Sequence, residues 1–339
     1  MRYETKMLTA ADIELAAHLL RQGECVAFPT ETVYGLGANA LDKRAVAKIY
    51  AAKGRPADNP LIVHCHSQAQ ARELVRDWPQ QVQKLADAFW PGPLTVVLPK
   101  NPVVPAAVTG GLDTVALRIP DHPIALDLIA AARLPVAAPS ANLSGRPSPT
   151  RAEHVWQDLA GRIAAIIDGG PTGWGVESTV LDCTRLPFRL LRPGGITLED
   201  LRRLAPVETA NSGLHTSGAP LSPGVKYRHY SPSAQVILVT GKRVAENIRR
   251  LAACHGQKGK KVAVMACDES RDNYPGVIFL ALGSKANLQV AAARIYHLLR
   301  QADAMGCDVI LIEELPREHL GRAIMDRLQK AAGPNIIET

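Results

Sequence analysis

Between residues 53 and 60 the chain sets two cations and an amide close together, in Lys53-Gly-Arg-Pro-Ala-Asp-Asn-Pro60. The Arg55 guanidinium can fork onto two oxygens, the Lys53 ammonium can act as a mobile point charge, and Asn59 can hydrogen-bond, while Pro56 and Pro60 limit how far the loop relaxes. Such a loop suits phosphate. The plainer reading has Lys53 complementing a helix C-terminus and Arg55 in solvent. Further on, Pro139-Ser-Ala-Asn142 follows the apolar run Leu134 to Ala138, so Ser140 and Asn142 emerge past a strand end, where α/β sheets bind ligands. Two residues apart on extended backbone, they face the same way and can converge on one ligand, although a simple Asx or Ser turn would use them too. A serine nucleophile is not expected, because the glycines of a G-x-S-x-G elbow are missing.

Arg118 lies inside the apolar run Val115-Ala-Leu-Arg-Ile-Pro120. Burying a guanidinium there is costly unless it meets an anion, which is either a ligand carboxylate or an internal salt bridge. Arg192, in Leu191-Arg-Pro-Gly-Gly195, poses the same question, and its glycines allow close approach to the loop. His64 and His66 flank Cys65 and suggest a metal site, but no second acid or histidine cluster supports one. His64 is therefore expected as a hydrogen-bonding pocket residue and His66 at the surface. No G-x-x-x-x-G-K-[ST] loop occurs, so a nucleotide needs another device. Gly35-Leu-Gly37-Ala-Asn-Ala40 imitates a dinucleotide fingerprint, yet Pro29 to Tyr34 separate it from the preceding strand. Its glycines read as turn residues.

The elements that must hold these groups alternate β-branched runs with amphipathic stretches. Cys25 to Phe28, Leu61 to His64, Leu94 to Leu98, Val115 to Ile119, Val136 to Ala138, Ile163 to Ile167 and Thr179 to Leu181 read as strands. Asp42 can cap a helix that Gly54 ends, and the segments from Ser67 and Pro123 behave alike. An α/β domain with a mixed sheet follows. Residues 206 to 233 are rich in proline and glycine without periodicity and read as a linker. Beyond it, strands near Val236, Val262, Val277 and Val309 alternate with helices, which predicts a smaller parallel, Rossmann-like sheet.

The chain's 339 residues give room for two domains, and 47% hydrophobic residues exclude a disordered chain. No stretch reaches the roughly 18 apolar residues that cross a bilayer. Glu4, Asp12 and Glu14 interrupt the N-terminal segment, so no signal peptide, anchor or membrane partner is expected. Six scattered cysteines fit reduced thiols in a cytoplasmic protein. The formal charge of +7 favours anionic ligands, while 4% aromatic residues leave little material for stacking single-stranded nucleic acid.

Taken in order, Pro29-Thr-Glu-Thr-Val-Tyr-Gly-Leu36, K-x-R at 53 to 55, S-x-N at 140 to 142, Glu177-Ser-Thr-Val180 and Leu191-Arg-Pro-Gly194 resemble the YrdC-like threonylcarbamoyl-AMP synthases. Ser222-Pro-Gly-Val-Lys-Tyr-Arg-His-Tyr-Ser-Pro232 is similar to the linker of the long, two-domain form. The resemblance implies a YrdC-like twisted mixed-sheet catalytic domain over 1–205, a linker over 206–233 that can serve as an active-site lid, and a Rossmann-like α/β domain over 234–339. It implies synthesis of threonylcarbamoyl-adenylate and pyrophosphate from L-threonine, bicarbonate and ATP, with Mg²⁺ and no protein-ligated structural metal. A downstream transferase would pass the group to tRNA adenosine.

By the same resemblance, Thr32, His64, Arg118, Ala138 and Ser178 would line the threonine pocket. Arg55, Asn59, Thr114, Ser140, Ser148, Arg192 and Tyr230 would hold ATP, joined by Lys53 and Asn142. Lys53 and Arg55 would carry catalysis, since a carbamate anion must approach a polyanionic nucleotide and fixed cations offset that repulsion. The competing reading is a basic RNA-binding module without catalysis, or weak tRNA binding beside the enzyme activity. It would use the cations but leave Arg118, His64 and Ser178 idle.

Overall fold

Eleven short strands in the first part of the chain hydrogen-bond into one sheet, described by a computed structural model that covers residues 3–209 and 229–338. They are β1 (Lys6–Leu8), β2 (Val26–Phe28), β3 (Gly35–Asn39), β4 (Ile62–His64), β5 (Leu94–Pro99), β6 (Thr114–Arg118), β7 (Val136–Ala137), β8 (Ala165–Ile167), β9 (Thr179–Asp182), β10 (Phe188–Arg192) and β11 (Val207–Thr209). The order β1-β8-β2-β3-β7-β4-β6-β5-β9-β10-β11 mixes parallel pairs, such as β4 with β6 and β5 with β9, and antiparallel pairs, such as β5 with β6. The expected mixed sheet is therefore present.

Helix ends follow local chemistry. The Asp42 carboxylate accepts the Arg44 amide at 2.8 Å to start helix Lys43–Lys53, which closes at Gly54. Ser67 accepts the Gln70 amide at 3.2 Å, and Pro123 opens helix Pro123–Ala132.

Three expectations change. Gly35 and Gly37 are not turn residues but lie within β3, antiparallel to β2 and β7. A Cβ on Gly37 would come within 2.7 Å of Phe28 and 2.8 Å of Val136, so the glycines serve close packing of strand on side chain. Residues Val207–Thr209, read as the start of the linker, pair in parallel with β10 as an edge strand. Strands β1 and β10, too short or too polar to announce themselves, were not anticipated. The remainder of the linker reading, including the lid and most of Ser222 to Pro232, falls on residues 210–228, outside the described residues.

The second unit comprises residues 145–147, 174–176 and, of the described residues, 229–338. Its strands β12 (Gln235–Thr240), β13 (Val262–Ala266), β14 (Ile278–Ala281), β15 (Val309–Glu313) and β16 (Ile336–Glu338) are all parallel, in the order β14-β13-β15-β12-β16. Such pairing requires crossovers, supplied by helices including Val244–Gln257, Leu288–Ala304 and Leu320–Ala332. The smaller Rossmann-like sheet is thus observed. All six cysteines are free, and no described helix is long and apolar enough to cross a membrane.

Candidate active site

Strand alternation sorts the candidate residues onto one face of the large sheet. Register pairs Ile62 with Ala116 and His64 with Arg118, so Ile62, His64, Thr114, Ala116 and Arg118 share a face. Val97 lies opposite Ala116, Val180 opposite Thr95, and Arg192 opposite Val180. The other face carries Val63, Leu117, Val96, Leu181 and Ala137 into the main hydrophobic core beneath the helices. The site face carries a small apolar patch of Ile62, Val97, Ala116 and Val180 between its polar groups, and further along it Val136 and Ala138 join a second core under helix Pro123–Ala132.

The parallel pair β4 and β6 also separates these groups along the strands. Arg118 ends β6, whereas Thr114 begins it four residues earlier, about 13 Å away at roughly 3.3 Å per residue. Continuing the register backwards sets Asn59 and Pro60 near Thr114. On this strand pair Thr114 and Asn59, expected for ATP, therefore lie at one end and His64 and Arg118, expected for threonine, at the other.

At the Arg118 end, the guanidinium is 3% exposed and meets Glu31 Oε1 with Nη2 at 2.6 Å, while its Nε donates to the Gly92 carbonyl at 3.2 Å. The Glu31 contact is an ion pair without hydrogen-bond alignment, so both Glu31 oxygens and Arg118 Nη2 are buried with unused hydrogen-bonding capacity. The internal salt bridge foreseen as the alternative to a ligand carboxylate is thus present, but it does not saturate either group. Thr32 is fully buried, its amide on Thr30 Oγ1 at 3.2 Å. Ala138, 4% exposed, is tied through its amide to the Ile62 carbonyl at 2.9 Å. Ser178 Oγ lies 2.8 Å from Thr95 Oγ1.

His64 packs edge-on to Phe28 at 6.2 Å, and its Nδ1 is buried without a hydrogen-bond partner. Burial first, then the Arg118 charge, push its pKa down from 6.5 to about 3. His66 is exposed and bonded to Gln70, as expected of a surface residue. A histidine whose folded pKa is depressed takes up a proton on unfolding, so stability falls as pH drops from about 6.5 toward 3. His64→Gln should flatten the dependence of Tm on pH across that window in a scanning-fluorimetry series. An unchanged slope would mean that another group titrates.

At the other end, Lys53 is not a mobile charge. It is the last residue of its helix, 2% exposed, and its Nζ donates to the carbonyls of Ser140 and Asn142, each at 2.5 Å. It fastens the S-x-N loop, which also runs along β3 through Leu36 to Pro139 and Ala141 to Tyr34 amide bonds. Ser140 Oγ donates to Asn142 Oδ1 at 2.5 Å, so the two side chains do converge. Arg55 is half-buried, donating to the carbonyls of Asn59 at 3.3 Å and Pro60 at 3.0 Å. Asn59 Oδ1 is buried without a hydrogen-bond partner.

Arg192 is 3% exposed and forks onto Ser178, with Nη2 at 2.9 Å from its carbonyl and 3.2 Å from its Oγ. The close approach foreseen for its loop is realised at Gly194, where a Cβ would collide with the backbone of Ser178 and Thr179. Ser148 Oγ donates to Glu177 Oε1 at 2.5 Å in a buried pair. Tyr230 is the one assigned residue in the second unit. It is 5% exposed, its ring 5.3 Å from Tyr296 and 5.7 Å from the Arg327 guanidinium.

Sequence reasoning missed Glu31 and Glu177 as partners of Arg118 and Ser148. The signal was present, since each acid sits in one of the motifs, flanked by threonine or serine. The RNA-module reading gains no support here: Lys53, Arg118 and Arg192 are at most 3% exposed, whereas phosphate-tracking cations must reach the surface.

A family model described as telomere recombination, for the Sua5, YciO and YrdC proteins, matches residues 18–194. A second, described as the C-terminal domain of threonylcarbamoyl-AMP synthase, matches residues 196–333. The chain is 49% identical over 330 residues to the threonylcarbamoyl-AMP synthase of Pyrococcus abyssi, covering 96% of this chain and 95% of that one. It is 50% identical over 327 residues to the enzyme of that name from Bacillus subtilis, covering 96% and 94%. The crystal structure of P. abyssi Sua5 complexed with L-threonine matches with a TM-score of 0.92 at 47% identity, covering 100% of each chain.

Proposed function

This chain belongs to the Sua5/YrdC family of threonylcarbamoyl-AMP synthases, and from that premise we propose how its residues divide the work. The enzyme joins L-threonine, bicarbonate and ATP into threonylcarbamoyl-AMP and pyrophosphate, a step in tRNA modification. Thr32, His64, Arg118, Ala138 and Ser178 form the threonine pocket, with the guanidinium of Arg118 on the carboxylate. Arg55, Asn59, Thr114, Ser140, Ser148, Arg192 and Tyr230 hold ATP, with Lys53 and Asn142 fixing the loop beside it. Carbamate attack on the α-phosphorus piles negative charge onto phosphoryl oxygens, and Lys53, Arg55 and Arg192 oppose it from a dry, preset frame. Positioning supplies much of the rest, because three small reactants must meet in one geometry.

The observation that carries this reading is the buried Arg118 cation with unsatisfied polar atoms on it, on its partner Glu31 and on neighbouring His64. Buried polar groups are normally bonded, so such a cluster wants a ligand. Mg²⁺ would arrive with ATP and supply counter-charge to its phosphates. Glu177 and Ser148 are oxygen donors of this unit suited to it or to its waters. Residues 1–205 would be the catalytic domain, 206–233 the linker and 234–339 an accessory domain. A cytoplasmic site of action and hand-over to a tRNA transferase complete the proposal.

Mass spectrometry of a reaction with ATP, threonine and bicarbonate should give a threonylcarbamoyl-adenylate peak. Pyrophosphate release should need threonine and bicarbonate together, and serine should be poorer by about 1–3 kcal/mol, roughly 10- to 200-fold, for its missing methyl. Release at full rate in bicarbonate-depleted buffer would show the carbamate nucleophile to be wrong.

A further inference from the structure

We propose that Glu31 is a catalytic residue of this enzyme, holding the ammonium of threonine and accepting the proton that must leave before its nitrogen can attack bicarbonate. The inference rests on the reading of the Arg118 end as the threonine pocket. Its starting point is an oddity of burial. Glu31 is 8% exposed, and both its oxygens are sealed from solvent without a hydrogen bond. Leaving a charged group so unsatisfied costs more than orphaning a neutral one, and the ion contact with Arg118 offsets only part of it. A carboxylate built to lock Arg118 in place would be aligned with it and would share its second oxygen with a backbone amide. This one does neither.

What the pair does provide is a buried cation and a buried anion side by side, 2.6 Å apart. An α-amino acid carries the mirror image, with carboxylate and ammonium on one carbon. Arg118 takes the first and Glu31 the second, so the unsatisfied atoms of each meet a hydrogen-bonding charge of opposite sign.

Chemistry then requires more than binding. The ammonium has no lone pair, so an N–H bond must break first, its proton passing to a Glu31 oxygen and leaving the free amine. The nitrogen lone pair forms the C–N bond to bicarbonate carbon while the C–OH bond breaks, and a second proton from the nitrogen joins the departing hydroxide, which leaves as water. Amine plus bicarbonate thus gives carbamate plus water, and Glu31 returns its proton to solvent before the next turnover. The charged and titratable groups facing Glu31 are Arg118 at the end of β6 and His122 just beyond it, with His64 behind Arg118. His64, held neutral with a pKa near 3, is too weak a base for the task. His122 is half-buried, and burial likewise holds it below its usual value.

The test uses the full chain and Glu31→Gln, which keeps shape and removes the base. At neutral pH its kcat should fall at least 100-fold, then recover about tenfold per pH unit as the free-amine fraction of threonine rises, while the wild-type profile stays flatter. Calorimetry with threonine and with 3-hydroxybutyrate, which has the carboxylate and hydroxyl but no ammonium, should show a wild-type preference for threonine that Glu31→Gln reduces at least tenfold. Glu31→Asp should keep the wild-type profile at a lower rate. An active wild type whose Glu31→Gln variant retains its pH profile and its preference overturns the proposal alone. Should Glu31→Gln not fold, the wild type and Glu31→Asp decide: no preference for threonine over 3-hydroxybutyrate, or an Asp variant whose rate climbs tenfold per pH unit, overturns it. A wild type that makes no threonylcarbamoyl-AMP overturns the functional reading and this proposal with it.

Discussion

Arg118→Ala should weaken threonine roughly 30- to 150-fold, the worth of a charged hydrogen-bonded contact at about 2–3 kcal/mol. It should also lower stability by about 3–5 kcal/mol, because it strands the buried carboxylate of Glu31 beside an empty space. The two effects can be separated. Arg118→Ala combined with Glu31→Gln removes the stranded charge and should regain much of the stability while threonine remains weak. Arg118→Lys keeps the charge but loses the fork, and should fall between wild type and alanine in threonine affinity. Calorimetric titration of threonine against each folded variant, beside a denaturant melt, reads both quantities. Unaltered threonine affinity in Arg118→Ala would leave the residue with its structural partner alone, and the pocket would have to lie elsewhere.

The second large effect concerns the two cations of the K-x-R segment, which the structure makes unequal. Arg55 is half-buried and rests on two carbonyls of its own loop. Arg55→Ala should therefore cost about 100- to 1,000-fold in kcat, as loss of a transition-state donor does, with a stability loss of only about 1 kcal/mol. Lys53 is 2% exposed and bridges two carbonyls of the Ser140–Asn142 loop. Lys53→Ala should lose a comparable factor in rate and a further 1–3 kcal/mol or so of stability, since two loop carbonyls lose their charged donor. Because the loop it fastens carries Ser140 and Asn142, ATP binding should weaken as well. Steady-state kinetics with ATP varied, set against melts of both variants, distinguishes these outcomes. Wild-type kcat in Arg55→Ala with a lowered Tm would make that arginine a loop staple.

Much of the architecture was readable because it is local. Asp42, Ser67 and Pro123 begin helices through their own backbone neighbourhood, and every β-branched run proposed as a strand contains one. Strand β3 escaped because Gly35-Leu-Gly-Ala-Asn has the composition of a turn. Only the Phe28 and Val136 side chains, brought against it by β2 and β7, require glycine there. Edge strand β11 escaped for a related reason, since three residues of ordinary composition become a strand only when β10 offers its free edge.

For the site, the sequence by itself determined the kinds of group available and their order: K-x-R, S-x-N, an arginine in an apolar strand, a second arginine before two glycines. It could also say that a buried Arg118 must meet an anion. It could not say that the anion is Glu31, 87 positions away, or that Lys53 reaches across to Ser140 and Asn142. Nor could it decide that Thr114, Arg118, His64 and Arg192 share one face. On a strand that assignment flips with a one-residue slip, and register between distant strands is set by which side chains pack into the core beneath. The tertiary fold makes that choice because Val63, Leu117 and Leu181 gain most by facing the helices, and their burial turns the alternate, polar residues toward a common face.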